Sequence, residues 1–340
     1  MIDIFKKNSY IIWGTGSSAE EFMNSYPEIK IDYFIETEPS KTMFKKLKVL
    51  KASEINLLKS NIIIANEYYD EIKLLLLKQG INSKNILNAD DQILRDSDVI
   101  VVSYQKCGRT WLRAMIGCFL QRRFKLHEGE ILKITQSAPY YKQIQPTMPK
   151  FMFKHDDNAH RKQANELSSS KDIYNDKKVI FLSRDPRDVI VSNFYHMTYR
   201  IDSNKLQFED FVKKFFSGII KYYNIWANYG FNENRLLVRY EDLHTSASEK
   251  LFDILNFVDK NIKPESKEIN FAIKYASFEN MKKYESENRF NSSILENRGG
   301  YKSSKIRKGK VGGFKDIMTK DLQLYCEKEI KNLNSIFSYS

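Results

Sequence analysis

Cysteine is scarce in this chain: three in 340 residues, Cys107, Cys118 and Cys326, with no CxxC pair among them. That excludes a disulfide framework and a zinc knuckle. No apolar run approaches the ~20 residues a membrane-spanning helix needs. The opening residues, MIDIFKKNSYIIWGTG, have no long apolar core after their charges, so no secretion signal is expected there. The phosphate loop of ordinary ATP and GTP enzymes, GxxxxGK followed by Ser or Thr, is absent. No helix-turn-helix, aromatic RNA motif or internal repeat is visible. These absences predict a protein of the reducing cytoplasm, without a nucleic-acid partner and without an integral membrane segment.

What is present is ordinary globular composition, 42% hydrophobic and 29% charged, with enough Tyr and Phe for large cores. The length suggests two domains. Charge divides the chain the same way. Residues 1–95 hold 13 Lys+Arg and 13 Asp+Glu, so the whole net charge of +12 lies in residues 96–340. A basic domain attracts anionic partners, a phosphorylated ligand among them.

The first part alternates short apolar runs with helical patterns: Tyr10–Trp13, then 17–26, Ile31–Ile35, Asn61–Ala65, and a helix from Tyr69 to Gln79 with Gly80 as its cap. This predicts a small parallel sheet with helices. The polar stretch 88–98 is the expected boundary. Buried strands are predicted again at Val99–Tyr104, Val179–Ser183 and Leu236–Val238, with helices at 109–123, 208–228, 246–258, 265–275 and 320–336. Residues 285–312 read as a long loop of the kind that binds or covers a ligand.

Two segments carry chemistry. In VIVVSYQKCGRTW, residues 99–111, a strand turns into a helix whose first N–H groups point outward at an anion site. Gly108 permits close approach, Lys106 adds charge and Thr110 a hydroxyl. In VIFLSRDPRDVIVSNFY, residues 179–195, Arg184 sits at a strand end, where open α/β sheets bind ligands, and Ser192 follows in the next helix. A guanidinium and a hydroxyl suit a phosphate. Taken singly, the first also fits a plain strand-to-helix turn and the second a surface Arg and a helix Ser.

Together the segments resemble the sulfotransferases that use 3′-phosphoadenosine-5′-phosphosulfate (PAPS). The family's YPKSGTTW loop matches Tyr104–Trp111, and its CRNPKDVAVSYYH element matches Ser183–His196. Its YED tripeptide matches Tyr240-Glu241-Asp242. Its TSFxxMK element is similar to Ala276–Lys282, and its RKGxxGDWK element to Arg307–Lys315. The five elements keep the family's order over residues 98–335. The resemblance implies that Lys106, Cys107, Gly108, Arg109 and Thr110 hold the 5′-phosphosulfate, and that Lys106 stabilises the leaving phosphate. It implies Arg184, Ser192, Arg307, Lys308 and Gly309 at the 3′-phosphate, and Trp111, Tyr240 and Phe278 around the adenine. Departures fall at Cys107 (Ser in the family's loop), Arg109 (Thr), Ala276 (Thr), Gly313 (Asp) and Phe314 (Trp).

The family's base is the His of a PRxxKTH segment, and Pro149 to His155 keeps its spacing of six. Phe153 stands in the Lys position, with Lys154 beside the His. His155 is therefore the expected general base and His160 the alternative, with His127, His196 and His244 assigned elsewhere. No metal is expected. The implied fold is α/β: a small Rossmann-like domain over 1–95, then a P-loop-like sulfotransferase domain over 96–340 with a central parallel sheet flanked by helices. The expected acceptor is a hydroxyl compound: a saccharide of a surface glycan or glycolipid, because the first part looks like the small Rossmann-like domains attached to bacterial surface-sugar enzymes, or alternatively a sterol, phenol or other small molecule. More distant readings are a P-loop nucleotide kinase and a non-catalytic nucleotide-binding protein. In the first part, Gly14-Thr15-Gly16-Ser17-Ser18-Ala19, with Glu36 about twenty residues on, fits a dinucleotide fingerprint; a bare glycine turn fits as well. Oligomeric state is not readable from the sequence.

Overall fold

The computed structural model describes residues 9–127, 131–135, 138–201, 205–290 and 293–339. The chain forms two compact units, Met1–Ser97 with Gln136–Met152, and Asp98–Thr135 with Phe153–Ser340.

In the first unit the strands are β1 (Tyr10–Trp13), β2 (Ile31–Glu36), β3 (Met43–Phe44), β4 (Leu47–Lys51), β5 (Ile62–Ile64) and β6 (Ile86–Asn88). They form one sheet in the order β3-β4-β2-β1-β5-β6. Every pairing among β4, β2, β1, β5 and β6 is parallel, and only the short β3 is antiparallel. Apolar side chains on both faces explain this arrangement, because parallel strands are covered on both sides. Ile11, Trp13, Ile35, Ile62 and Ile64 meet Ile72 and Leu76 of helix α2 (Tyr69–Lys78) in one buried cluster. Helix α1 covers Ser17–Ser25. The polar stretch 88–98 is not loop: most of it folds as α3 (Ala89–Arg95), because Asn88 caps it by accepting from the N–H groups of Asp90 and Asp91.

A second, four-stranded sheet runs β10-β9-β7-β8, with β7 at Val99–Val102, β8 at Phe151–Lys154 (of which Phe153 and Lys154 belong to the second unit), β9 at Lys178–Ser183 and β10 at Arg235–Arg239. β7, β9 and β10 are parallel neighbours. β7 is buried along its whole length, as its unbroken run of Val and Ile requires. Each of these parallel strands is followed by a helix: α4 (Arg109–Arg123) after β7, α5 (Pro186–Tyr195) after β9, and α7 (Tyr240–Thr245) after β10, with the 22-residue α6 (Phe208–Tyr229) lying between the last two strands in the chain. α4 is buried from Leu112 to Leu120 without a polar face, which marks it as a central helix rather than a surface one. The remaining helices used below are α8 (Phe278–Ser286) and α9 (Lys320–Ile330). The carboxyl ends of β7, β9 and β10 converge, and the site lies there.

Candidate active site

The turn after β7 is built for close approach. Lys106 and Gly108 both take left-handed backbone, with φ of +74 and +93. Gly108 admits no other residue, because a Cβ would lie 2.5 Å from the ring of Tyr240. Gly108 also precedes α4 without a side-chain cap, and no acidic residue sits in the first turn. The positive end of α4 is thus left facing the cleft. The cleft, about 330 Å³, is lined by Lys106, Gly108, Arg109, Thr110, Trp111, His155, Arg184, Ser192, Tyr240, Phe278, Arg307, Lys308 and Gly309. Every sequence-predicted site residue but one is there. Cys107 is the exception. Its thiol is fully buried, lies 3.3 Å from the Tyr223 hydroxyl, and is pushed up to about 12 by burial. Its side chain packs in the core, and only its backbone belongs to the turn.

The second wall begins at β9. Asp185 caps α5 by accepting from the Arg187 N–H at 2.9 Å, with Pro186 in the first helical position. Arg184 is held from several sides. It donates to the Lys106 carbonyl (3.3 Å) and the Lys310 carbonyl (3.0 Å), and its guanidinium lies 4.3 Å from the centre of the Tyr240 ring. Trp111 donates from its indole to the Ala276 carbonyl at 2.8 Å and meets the Tyr240 ring edge-on at 5.6 Å.

The late loop closes the cleft through contacts that no motif announced. Asp188 accepts from the N–H groups of Gly312 (2.8 Å) and Phe314 (2.9 Å) and lies 3.5 Å from Arg184. Glu285, at the end of α8, accepts from the N–H groups of Lys305 and Ile306 and pairs with buried Arg200 at 3.4 Å. Gly309 lies against Phe278, whose ring would be 2.5 Å from a Cβ there. The Arg307 guanidinium stacks 3.9 Å from the Tyr195 ring centre. Burial, then the charges of Arg200 and Arg184, lowers the Lys106 ammonium to about 7.

His155 follows β8 and faces the cleft. Its Nδ1 lies 3.2 Å from the Ser103 carbonyl and its Nε2 lies 2.6 Å from Arg109 Nη2. Arginine only donates, so Nε2 carries the lone pair and Nδ1–H donates to Ser103. Burial, then the Arg109 charge, holds His155 well below the usual histidine range. Next in the chain, Asp156 is pinned by Lys171 (2.9 Å) and the Tyr174 hydroxyl (2.8 Å). Asp157 and Asn158 then turn through left-handed backbone and bring the His160 ring within 5.4 Å of the His155 ring. His160 does not line the cleft, whereas His196 does, together with Lys305. The resemblance gives His196 no part in the chemistry, and no motif contains Lys305. Its position two residues before Arg307 was the one available signal. Among the described residues no group of three or more His, Cys, Asp or Glu is arranged to hold a metal.

The glycine turn of the first unit has an internal explanation. Gly14 takes φ +113, and a Cβ there would lie 2.6 Å from the Ala65 carbonyl oxygen of the neighbouring strand end. Thr15 donates to Glu36 at 2.5 Å, which engages the carboxylate that a fingerprint would reserve for a ribose.

A basic cleft at the carboxyl ends of parallel strands, with an anion-facing helix terminus and a neutral histidine, defines a group-transfer enzyme acting on an anionic donor. The chain belongs to the PAPS-dependent sulfotransferase family: the sulfotransferase domain matches residues 96–334. Residues 6–87 match a second family, described as C2185-like, N-terminal. The chain is 30% identical over 250 residues to the 3-beta-hydroxysteroid sulfotransferase of Cavia porcellus, covering 68% of this chain and 81% of the relative. It is 26% identical over 261 residues to the amine sulfotransferase of Oryctolagus cuniculus, covering 70% and 81%. Among solved structures, retinol dehydratase in complex with androsterone and inactive cofactor PAP is 22% identical with a TM-score of 0.48, covering 70% of this chain and 80% of that one.

Proposed function

We propose that this chain moves a sulfuryl group from PAPS to the hydroxyl of an acceptor in the cytoplasm. The observation that carries the reading is one cleft with two kinds of cation site and a neutral base. Lys106 and the α4 terminus lie on one side, Arg184, Ser192, Arg307 and Lys308 line the rest, and His155 faces in with a free-base tautomer. Two anionic ends of one nucleotide suit this layout, and PAP, the spent donor, is named in the solved structure of retinol dehydratase. Trp111, Tyr240 and Phe278 offer aromatic faces for the adenine.

In this reading the acceptor oxygen attacks sulfur as the bond from sulfur to the bridging phosphate oxygen breaks. His155 Nε2 takes the hydroxyl proton. Lys106 and the N–H groups at the start of α4 stabilise the negative charge that builds on the departing phosphate. A sterol or other small hydroxyl acceptor is supported by the name of one relative, 3-beta-hydroxysteroid sulfotransferase. The saccharide reading rests on the resemblance of the first unit alone.

The test is turnover of labelled PAPS against a panel of hydroxyl acceptors, with PAP binding measured in parallel. His155→Ala is expected to abolish transfer while PAP still binds. His160→Ala is expected to keep most activity, because His160 does not line the cleft. The reverse pattern moves the base to His160. Absence of both PAP binding and transfer defeats the function itself.

A further inference from the structure

One phenol hydroxyl in the core touches both anion-facing turns of the cleft. Tyr223, on α6, is fully buried, and its ring packs against Phe181 of β9 at 5.6 Å and Phe337 at 4.9 Å between ring centres. The hydroxyl lies where β9 ends. It accepts from the Arg184 N–H at 3.0 Å and donates to the Arg184 carbonyl at 2.8 Å, so one side-chain group answers both backbone groups of that residue. Its third contact is the Cys107 thiol, at 3.3 Å.

The proton directions follow from the groups present. A phenol has one proton to give and two acceptor sites. The proton goes to the Arg184 carbonyl, which can only accept, so the thiol donates to the phenol oxygen. Burial keeps the thiol protonated by pushing it up to about 12, and the phenol is raised as well, chiefly by burial. The whole bonding capacity of the hydroxyl is therefore spent on Cys107 and Arg184. These two residues belong to different walls of the cleft. Cys107 sits between Lys106 and Gly108, both in left-handed backbone, and Arg184 carries a guanidinium that lines the cleft. Arg184 also reaches back to the Lys106 carbonyl at 3.3 Å, and the next N–H, of Asp185, donates to Glu241 at 2.9 Å.

We propose that Tyr223 is a positioning residue of the donor site: its hydroxyl locks the Arg184 backbone to the Lys106–Gly108 turn and so sets the separation of the two cation sites that a nucleotide phosphorylated at both ends must span. The proposal rests on the sulfuryl-transfer reading and names what fixes its donor specificity. Contacts between a guanidinium and a phosphate are specific in geometry. A guanidinium whose backbone drifts keeps its charge but loses its registration with the 3′-phosphate. A nucleotide with a 5′-phosphate alone needs no such registration.

Calorimetric titration of the full chain with PAP, and with AMP, which lacks the 3′-phosphate, reads the registration as a ratio of dissociation constants. The wild-type protein is expected to prefer PAP about thirtyfold or more. Tyr223→Phe keeps the ring and removes only the oxygen. It is expected to cut that preference about tenfold, with the AMP dissociation constant within about threefold of wild type. Cys107→Ala leaves Arg184 its two bonds and is expected to cut the preference about threefold, and Cys107→Ser, which returns a donor, to recover it. Equal losses for PAP and AMP in Tyr223→Phe overturn the proposal, because a general loosening of the core would do the same. So does an unchanged preference in that variant. If Tyr223→Phe does not fold, the cysteine variants decide: a preference that Cys107→Ala leaves intact, or that Cys107→Ser fails to recover, overturns it. A wild-type protein with no preference for PAP defeats the donor assignment, and this inference with it. Preference kept in wild type and variants alike leaves that assignment standing and this inference refuted.

Discussion

Lys106 shows how one side chain is tuned by its surroundings. It sits in left-handed backbone at the end of β7, among Arg184, Arg200 and Arg307, and its ammonium is lowered to about 7 from an ordinary 10.5. At pH 8 the lysine of the donor-free protein is therefore mostly neutral. An anionic ligand favours the charged form, so binding PAP at pH 8 must take up a proton, and affinity must weaken as pH rises above 7. Calorimetry in buffers of different ionisation heat reads this directly. Uptake is expected to grow from pH 6 to pH 8 and to vanish in Lys106→Met. Buffer-independent heats at pH 8 would remove Lys106 from the donor site. Much of this chemistry was legible beforehand: a Lys followed by Gly at a strand-to-helix turn is an anion site by backbone geometry alone. The contact of Arg109 with His155 was not, because residues 109 and 155 meet only when β7 and β8 align in one sheet.

Among the elements, the late loop depends on α5. Asp188, one turn into that helix, holds the N–H groups of Gly312 and Phe314 and lies beside Arg184. Removing the carboxylate orphans two backbone donors at ~1–3 kcal/mol each and frees the segment that carries Arg307, Lys308 and Gly309. Asp188→Ala is expected to weaken PAP binding about tenfold or more, with Asp188→Asn intermediate because its amide keeps one acceptor oxygen. An unchanged dissociation constant in Asp188→Ala would mean that the loop is held from elsewhere, Glu285 being the next anchor. Composition alone marks residues 285–312 as a loop of the kind that binds a ligand, although Glu285 and Ser286 belong to α8 and residues 291 and 292 lie outside the described residues. The anchors of that loop were not legible, since a buried Asp inside a helix and a Glu at the end of another have no local signature.

At the scale of the whole molecule, the second unit buries basic groups in their neutral forms. His155 is held well below its usual range, His160 near 3 and His196 near 2, each chiefly by burial, and Lys106 and Lys305 are lowered as well. The unfolded chain binds more protons than the folded one from the folded values up to about 6.5 for histidine and about 10.4 for lysine. Stability therefore rises with pH across both windows, and the histidine share is lost as pH falls below about 6.5. The burial-raised Asp188 and Glu241 act in the opposite sense. Donor-free protein is expected to show a Tm that increases from pH 5 through 7 to 9, with saturating PAP flattening the upper half. A Tm that peaks at pH 6 and declines toward 9 would contradict the burial of these cations.

By itself the sequence determined the class of fold, six of the strands, most of the helices and many of the residues that line the cleft. These rest on local physics: apolar runs make buried strands, glycine at a turn permits close approach, and a helix start binds anions. Resemblance then ordered the five elements into one site. Tertiary structure alone decided three things. It buried the Cys107 thiol against Tyr223. It joined Gln136–Met152 to the first unit rather than the second. It also set Arg109 against His155 Nε2. Each depends on contacts between residues distant in sequence, and such contacts leave no periodicity, spacing or composition to read.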